Sequence, residues 1–304
     1  MRRRADLALV LVTLIWGTTF TVVHTAVATF PPVALIFLRF ALATLALGPL
    51  LWRRRRTQRL RRHGLLVGIG LGSLLFFGFA TQTLGLALTS PARAGFITGL
   101  NVVLVPMFAW LWGERPGVQA LLGVGLASVG LMVLTWGCGW AAFGCSLTGQ
   151  QSGWHWGDSL ILLCAAAFAL HIVAVGRWGM GLPLVALNGV QLATVAMLAG
   201  GVTLMLPTVP WSQPTVWAAA SFLGIIATAL VFGLQLWAQR WVNAARTALI
   251  FALEPIFAAL FAWWWIGDRP TTAVWVGGAL MVAGILASEV PLSRPATQPF
   301  HAGS

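Results

Sequence analysis

The stretch Ala92–Pro116 returns later in the chain as Ala245–Pro270, and this repetition limits the fold more than any other feature of the sequence. At a constant shift of 153 residues, Ala92, Arg93, Ile97, Leu100, Phe108, Ala109, Trp110 and Trp112 fall on Ala245, Arg246, Ile250, Leu253, Phe261, Ala262, Trp263 and Trp265. One inserted residue then brings Gly113-Glu114-Arg115-Pro116 onto Gly267-Asp268-Arg269-Pro270. A weaker echo relates Asp6–Phe20 to Asp158–Ile172. The chain reads as a duplicated unit. Its most informative pair is a mismatch: Asn101 lies on Glu254, a carboxylate in the middle of an apolar run.

Long apolar runs surround the repeat on every side, and they decide the solvent. The chain is 59% hydrophobic and 8% charged, against the roughly 25% charged typical of a soluble domain. A hydrocarbon layer of about 30 Å takes roughly 20 apolar residues per helical crossing. The alternating ten-residue segments of a transmembrane barrel are missing. We read an all-α polytopic membrane protein with ten transmembrane helices at 5–25, 32–52, 64–88, 91–112, 118–136, 156–177, 183–206, 215–240, 243–266 and 271–290. Proline- and glycine-rich connections separate them, because proline removes a backbone donor and ends the preceding helix. Five helices fall in a first repeat over 5–136 and five in a second over 156–290. An external linker, 137–155, joins the repeats, and a polar tail, 291–304, is expected to be disordered.

Orientation follows from arginine. Fifteen of the 18 arginines fall on one side if the N-terminus is cytoplasmic, which under the positive-inside rule places both termini inside. An odd number of crossings per copy makes the second copy enter from the opposite face, so the halves are expected to be inverted. That symmetry is shared by many secondary transporters, whose substrate site lies near the midplane between the repeats. The basic N-terminus followed by Ala26-Val27-Ala28 imitates a signal peptide. Its echo at Asp158 argues for a mature span instead. The net charge of +12 is concentrated in Arg53–Arg56, Arg59, Arg61 and Arg62. This is a retention signal that can touch anionic lipid headgroups, and no role with nucleic acid is expected. Cys138 and Cys145 share the external linker, and both a disulfide and two free thiols stay open.

These residues resemble the drug/metabolite transporter superfamily, in particular bacterial proteins built from two EamA-type repeats. The resemblance rests on Trp16-Gly17 with Phe20, on Pro32 followed by Leu38-Arg39-Phe40, and on Gly113-Glu114-Arg115 in the first copy. In the second copy it rests on Leu253-Glu254-Pro255 and Gly267-Asp268-Arg269. It implies ten helices, a central cavity formed by spans one to four and six to nine, and export of small metabolites or drugs across a bacterial inner membrane. Spans five and ten would lie at the periphery, where a homodimer contact is conceivable. The second copy departs from the pattern, with Phe168-Ala169 in place of Trp-Gly and Gln191 in place of Arg39.

Glu254 is the sharpest candidate, about 16 Å deep by helical rise and so near the midplane. An intramembrane acid either faces a wet cavity or is protonated. It reads equally as a coupling or amine-binding acid and as a packing residue beside Pro255. The fork of Arg39 suits a substrate carboxylate, but it also suits a structural role at helix ends. Gln82 and Gln235 are equivalent in the two copies and fit either cavity lining or interhelical hydrogen bonding. Asn101 and Gln191 join them as polar candidates. Trp16, Phe20, Phe168 and His171 are aromatic candidates on spans one and six, for stacking a planar substrate or for ordinary packing. No Walker loop, CxxC or HExxH motif occurs, so neither a cofactor nor a metal is expected, and an enzyme is not the reading. An uncoupled facilitator or channel stands as the alternative to a coupled transporter, with an integral-membrane enzyme or lipid-handling protein behind it.

Overall fold

The computed structural model describes residues 1–54, 60–89, 91–115, 117–136, 156–266 and 272–287. The linker 137–155 with Cys138 and Cys145, most of the arginine-rich loop, residues 267–270 and the tail lie outside the described residues. The regular structure described is entirely helical. The first half contains α1 (Arg2–Val27), α2 (Pro32–Arg54), α3 (Arg62–Leu86), α4 (Pro91–Thr98), α5 (Asn101–Leu111) and α6 (Val118–Trp136). The second contains α7 (Trp156–Trp178), α8 (Leu184–Thr203), α9 (Pro214–Ser221), a π-helical segment (Phe222–Leu230), α10 (Val231–Ala238), α11 (Ala244–Phe251), α12 (Glu254–Ile266) and α13 (Thr272–Ala287). Seven runs are long and apolar enough to cross a membrane: α1, α2, α3, α7, α8, the continuous Pro214–Ala238, and Ala244–Trp265. Asn101–Leu111, Val118–Gly130 and Trp275–Ala287 are apolar but shorter.

Two of the runs read from the sequence as single helices are broken. Gly99 and Leu100 form a turn between α4 and α5, and Ala252 and Leu253 form its counterpart between α11 and α12. Tight three-residue hydrogen bonds, such as Leu100 N–H to Ile97 O and Leu253 N–H to Ile250 O, replace the α ladder at both breaks. Asn101 and Glu254 are therefore the first residues of α5 and α12. Pro255 accounts for part of the second break, since it has no N–H to offer the preceding turn. The first break has Val102 at the matching position and so rests on packing. Gly113, with φ 86°, ends α5 in the left-handed conformation that glycine tolerates.

The packing obeys the duplication. α1 lies against α12, and its equivalent α7 lies against α4 and α5; α3 packs on α7, and α10 on α1. α2 with α8 and α6 with α13 are pairs that exchange of the halves maps onto themselves. Backbone approach is close at these crossings. A Cβ on Gly17 would sit 2.8 Å from Phe257 Cβ. One on Gly72 would sit 2.6 Å from the Gln191 carbonyl oxygen, and one on Gly224 2.5 Å from that of Arg39. The last two contacts are the same contact made once by each half, because Gly72 and Gly224, like Arg39 and Gln191, are 152 residues apart.

That mirrored contact locates an insertion. Gly72 and Gly224 match at a shift of 152, whereas Phe79 and Phe232 match at 153. The extra residue of the second copy thus falls between Gly224 and Phe232, inside the stretch spanned by the π-helical segment. Adding one residue to an α-helix without breaking it yields a local π turn.

Candidate functional site

Between the halves lies a narrow cavity of about 30 Å³. Its lining comes in equivalent pairs. Trp16 and Phe168, Thr19 and His171, Phe79 and Phe232, Gln82 and Gln235, and Asn101 and Glu254 all face it. Leu75, Arg39, Ile172 and Phe251 complete the wall. In α1, α3, α7 and α10 the paired positions are three residues apart, which keeps them on one helical face. The two residues that open α5 and α12 enter at the breaks, so the broken spans bring a polar side chain to the same place from each half.

Eight of the ten residues singled out from the sequence face this cavity: Glu254, Asn101, Arg39, Gln82, Gln235, Trp16, Phe168 and His171. Gln191 stands behind the wall, with its Oε1 accepting from His171 Nε2 at 3.1 Å. Phe20 is directed elsewhere, into an apolar cluster with Phe30, Leu35 and Leu86. Phe79, Phe232 and Phe251 are lining residues that sequence reasoning missed. For the first two the signal was available, since they are identical residues matched at the same shift as Gln82 and Gln235.

Arg39 is 4% exposed and has no acidic partner among the described residues. Its Nε donates to Thr228 Oγ1 at 2.6 Å and its Nη2 to the Ala227 carbonyl at 3.3 Å. The guanidinium carbon lies 4.4 Å from the centre of the Phe79 ring, a cation–π geometry. Trp16 Nε1 donates to the same Ala227 carbonyl at 3.1 Å. The π-helical segment therefore acts as an acceptor strip on which α1 and α2 both fasten.

Two polar relays run from backbone carbonyls toward the cavity. In one, Asn188 Nδ2 donates to the Ala229 carbonyl at 3.1 Å, and Gln191 Nε2 donates to Asn188 Oδ1 at 2.9 Å. Gln191 Oε1 then receives His171 Nε2–H. In the other, Gln239 Nε2 donates to the Ile172 carbonyl at 2.9 Å and Gln235 Nε2 to Gln239 Oε1 at 3.1 Å. Gln235 Oε1 and Asn101 Oδ1 are buried without a hydrogen-bond partner. Glu254 is 7% exposed, and no ion pair joins it to Arg39 or to any other described residue.

At one end of the bundle, Arg246 grips Asp6 with two parallel hydrogen bonds, Nε to Oδ1 at 2.7 Å and Nη2 to Oδ2 at 2.8 Å. The pair ties the start of α1 to the start of α11, one from each half. Asn243 caps α11 by accepting Arg246 N–H at 2.9 Å. The equivalent acid, Asp158, accepts from Thr89 Oγ1 at 3.0 Å. Among the described residues no cluster of three or more His, Cys, Asp or Glu is placed to hold a metal ion.

A helical protein of apolar spans that encloses a polar, aromatic-walled cavity between duplicated halves has the build of a membrane transporter. The chain belongs to the EamA-like transporter family, whose profile matches residues 3–136 and 155–288. Its relatives are named as transporters and not as enzymes. It is 30% identical over 288 residues to an uncharacterized transporter of Archaeoglobus fulgidus, covering 94% of this chain and 85% of the relative. It is 27% identical over 298 residues to a probable terminal-alkyne amino-acid exporter of Streptantibioticus cattleyicolor, covering 93% and 92%. The uncharacterized inner membrane transporter YedA of Escherichia coli is 24% identical over 285 residues, with 90% and 86% covered. A solved crystal structure superposes with a TM-score of 0.74 at 22% identity, covering 95% of this chain and 97% of the other. That likeness speaks for the fold.

Proposed function

We propose that the chain is a secondary transporter of the bacterial inner membrane that exports small organic metabolites, amino acids or drugs among them, by alternating access. The spans are ten in two inverted five-helix repeats over 5–136 and 156–290, with both termini cytoplasmic. Support comes from a cavity lined by matched positions of both halves, as an axis of pseudo-symmetry through the substrate site would require. The Asp6–Arg246 pair then closes the cytoplasmic end in the conformation described, because it joins the halves at the end where the N-terminus lies.

The observation that carries coupling is Glu254, a buried carboxylate at the head of a half-helix with no ion-pair partner among the described residues. Such a group can carry a proton across as the halves rock, which separates a coupled transporter from an uncoupled facilitator. The exporter relative and the inner-membrane relative support direction and location. The test is flux of a metabolite panel in proteoliposomes with and without a pH gradient, for the wild type and for Glu254→Gln. Gradient-driven accumulation that disappears in the variant is expected. Undiminished accumulation in the variant would remove Glu254 from the coupling step.

A further inference from the structure

We infer that the transported molecule is a primary organic ammonium, held by its N–H groups against the oxygen acceptors that line the cavity and by its apolar body against the aromatic wall. This deepens the transporter reading and rests on it.

The direction of the polar relays carries the inference. A backbone carbonyl can only accept, so Gln239 must present its Nε2 to Ile172 O, which leaves Gln239 Oε1 to accept from Gln235 Nε2. Gln235 is thereby left with Oε1 as its free acceptor, and that atom is buried with no donor. The second relay is fixed in the same way from Ala229 O. Asn188 donates, Gln191 donates to Asn188, and Gln191 Oε1 is left to receive His171 Nε2–H. With Nε2 committed as donor, Nδ1 of the neutral His171 ring is an acceptor. Both relays end in acceptors on residues that line the cavity.

Glu254 and Asn101 line the same space, and Asn101 Oδ1 is buried without a partner. A buried acceptor without a donor is costly, and a ligand that brings donors removes the cost. The positive charge already present does not do so in this structure, since no hydrogen bond joins Arg39 to Asn101 Oδ1 or Gln235 Oε1. Arg39 is engaged with Thr228 and Ala227 and lies over Phe79. An ammonium group offers three N–H donors, and its charge is opposite to the one Glu254 carries when it has released its proton. Trp16 packs 5.4 Å from Phe232 and 5.1 Å from Phe251, ring centre to ring centre, and Phe168 stands on the opposite half. These rings receive an apolar or aromatic body.

The test is equilibrium binding to the full chain in nanodiscs, read as the shift of thermal unfolding, with three probes of one skeleton. These are 2-phenylethylamine, its N,N,N-trimethyl derivative, which keeps the charge and loses every N–H, and 3-phenylpropionate. The primary amine is expected to bind at least about tenfold more tightly than the trimethyl derivative, the scale of a hydrogen bond between charged partners. Gln235→Leu is expected to erase that difference. Equal binding of the trimethyl derivative would overturn the proposal in favour of cation–π capture, and preferred binding of the carboxylate would overturn it outright. The analogue series on the wild-type chain decides the matter even if the variant does not fold. Ammonium binding without flux in proteoliposomes would support the subsite and overturn transport. Flux of a metabolite with no preference for N–H donors would do the reverse.

Discussion

Arg39 shows how a residue that invites a substrate role is held by the protein itself. Its fork spans Thr228 Oγ1 and Ala227 O while its flat face covers Phe79, so α2, α3 and the π-helical segment meet on one side chain. Lysine cannot make both bonds from one nitrogen in that geometry and does not stack as a plane. Arg39→Lys is expected to cost about 1–3 kcal/mol of stability, measured as a lower unfolding midpoint in nanodiscs. An unchanged midpoint would mean the fork holds nothing together. Sequence alone offered Arg39, Asn101, Glu254 and the glutamine pair because polar residues in apolar runs stand out. Phe79 and Phe232 stand out only through their match at the shift of the glutamines, since by type one aromatic among 17 Phe and 17 Trp carries no contrast. Gln191 stands out in the sequence as another polar residue in an apolar run, but its side chain is spent on Asn188 and His171.

The elements that position the site were less legible than its residues. Ten apolar runs are visible in the hydropathy pattern, but the turns at Gly99-Leu100 and Ala252-Leu253 are not. Pro255 marks only one of them, and local tightening costs too little for a propensity argument to find. The π-helical segment left a trace as the change of shift from 152 to 153, whose position only the mirrored Gly72 and Gly224 contacts reveal. Deleting Ile226 is expected to return this stretch to α geometry and to strip Trp16 and Arg39 of their shared acceptor. Amides of 222–230 would then exchange more slowly in hydrogen–deuterium experiments while flux falls. Unaltered flux would show that the π turn is incidental. Between elements, the Asp6–Arg246 fork joins α1 to α11 with side chains 22% and 13% exposed. Asp6→Asn is expected to raise the thiol-labelling rate of Val242→Cys, buried nearby, by about twofold to fivefold, the scale of a partly exposed pair. A rate that does not change would mean the pair closes nothing.

For the whole molecule the central prediction is inversion. Ala28 and Met180 occupy equivalent positions at the shift of 152, each exposed beyond the end of the first helix of its half. In a background without the three native cysteines, Ala28→Cys is expected to react with a membrane-impermeant maleimide only from outside and Met180→Cys only from inside. Reaction from one face would replace the inverted pair with a parallel one and remove the basis for alternating access.

The paired lining of the cavity has a further consequence once the halves are allowed to trade places. Two identical halves would make the open-in and open-out states degenerate, with equal populations at rest and equal grip on the cargo. Here Trp16 is matched by Phe168, Thr19 by His171 and Asn101 by Glu254, so under the proposed alternating access the exchange turns each state into one with different chemistry at the same positions. The resting preference of such a molecule, and the side on which it holds its cargo more tightly, are set by a few unlike pairs in a frame that is otherwise shared.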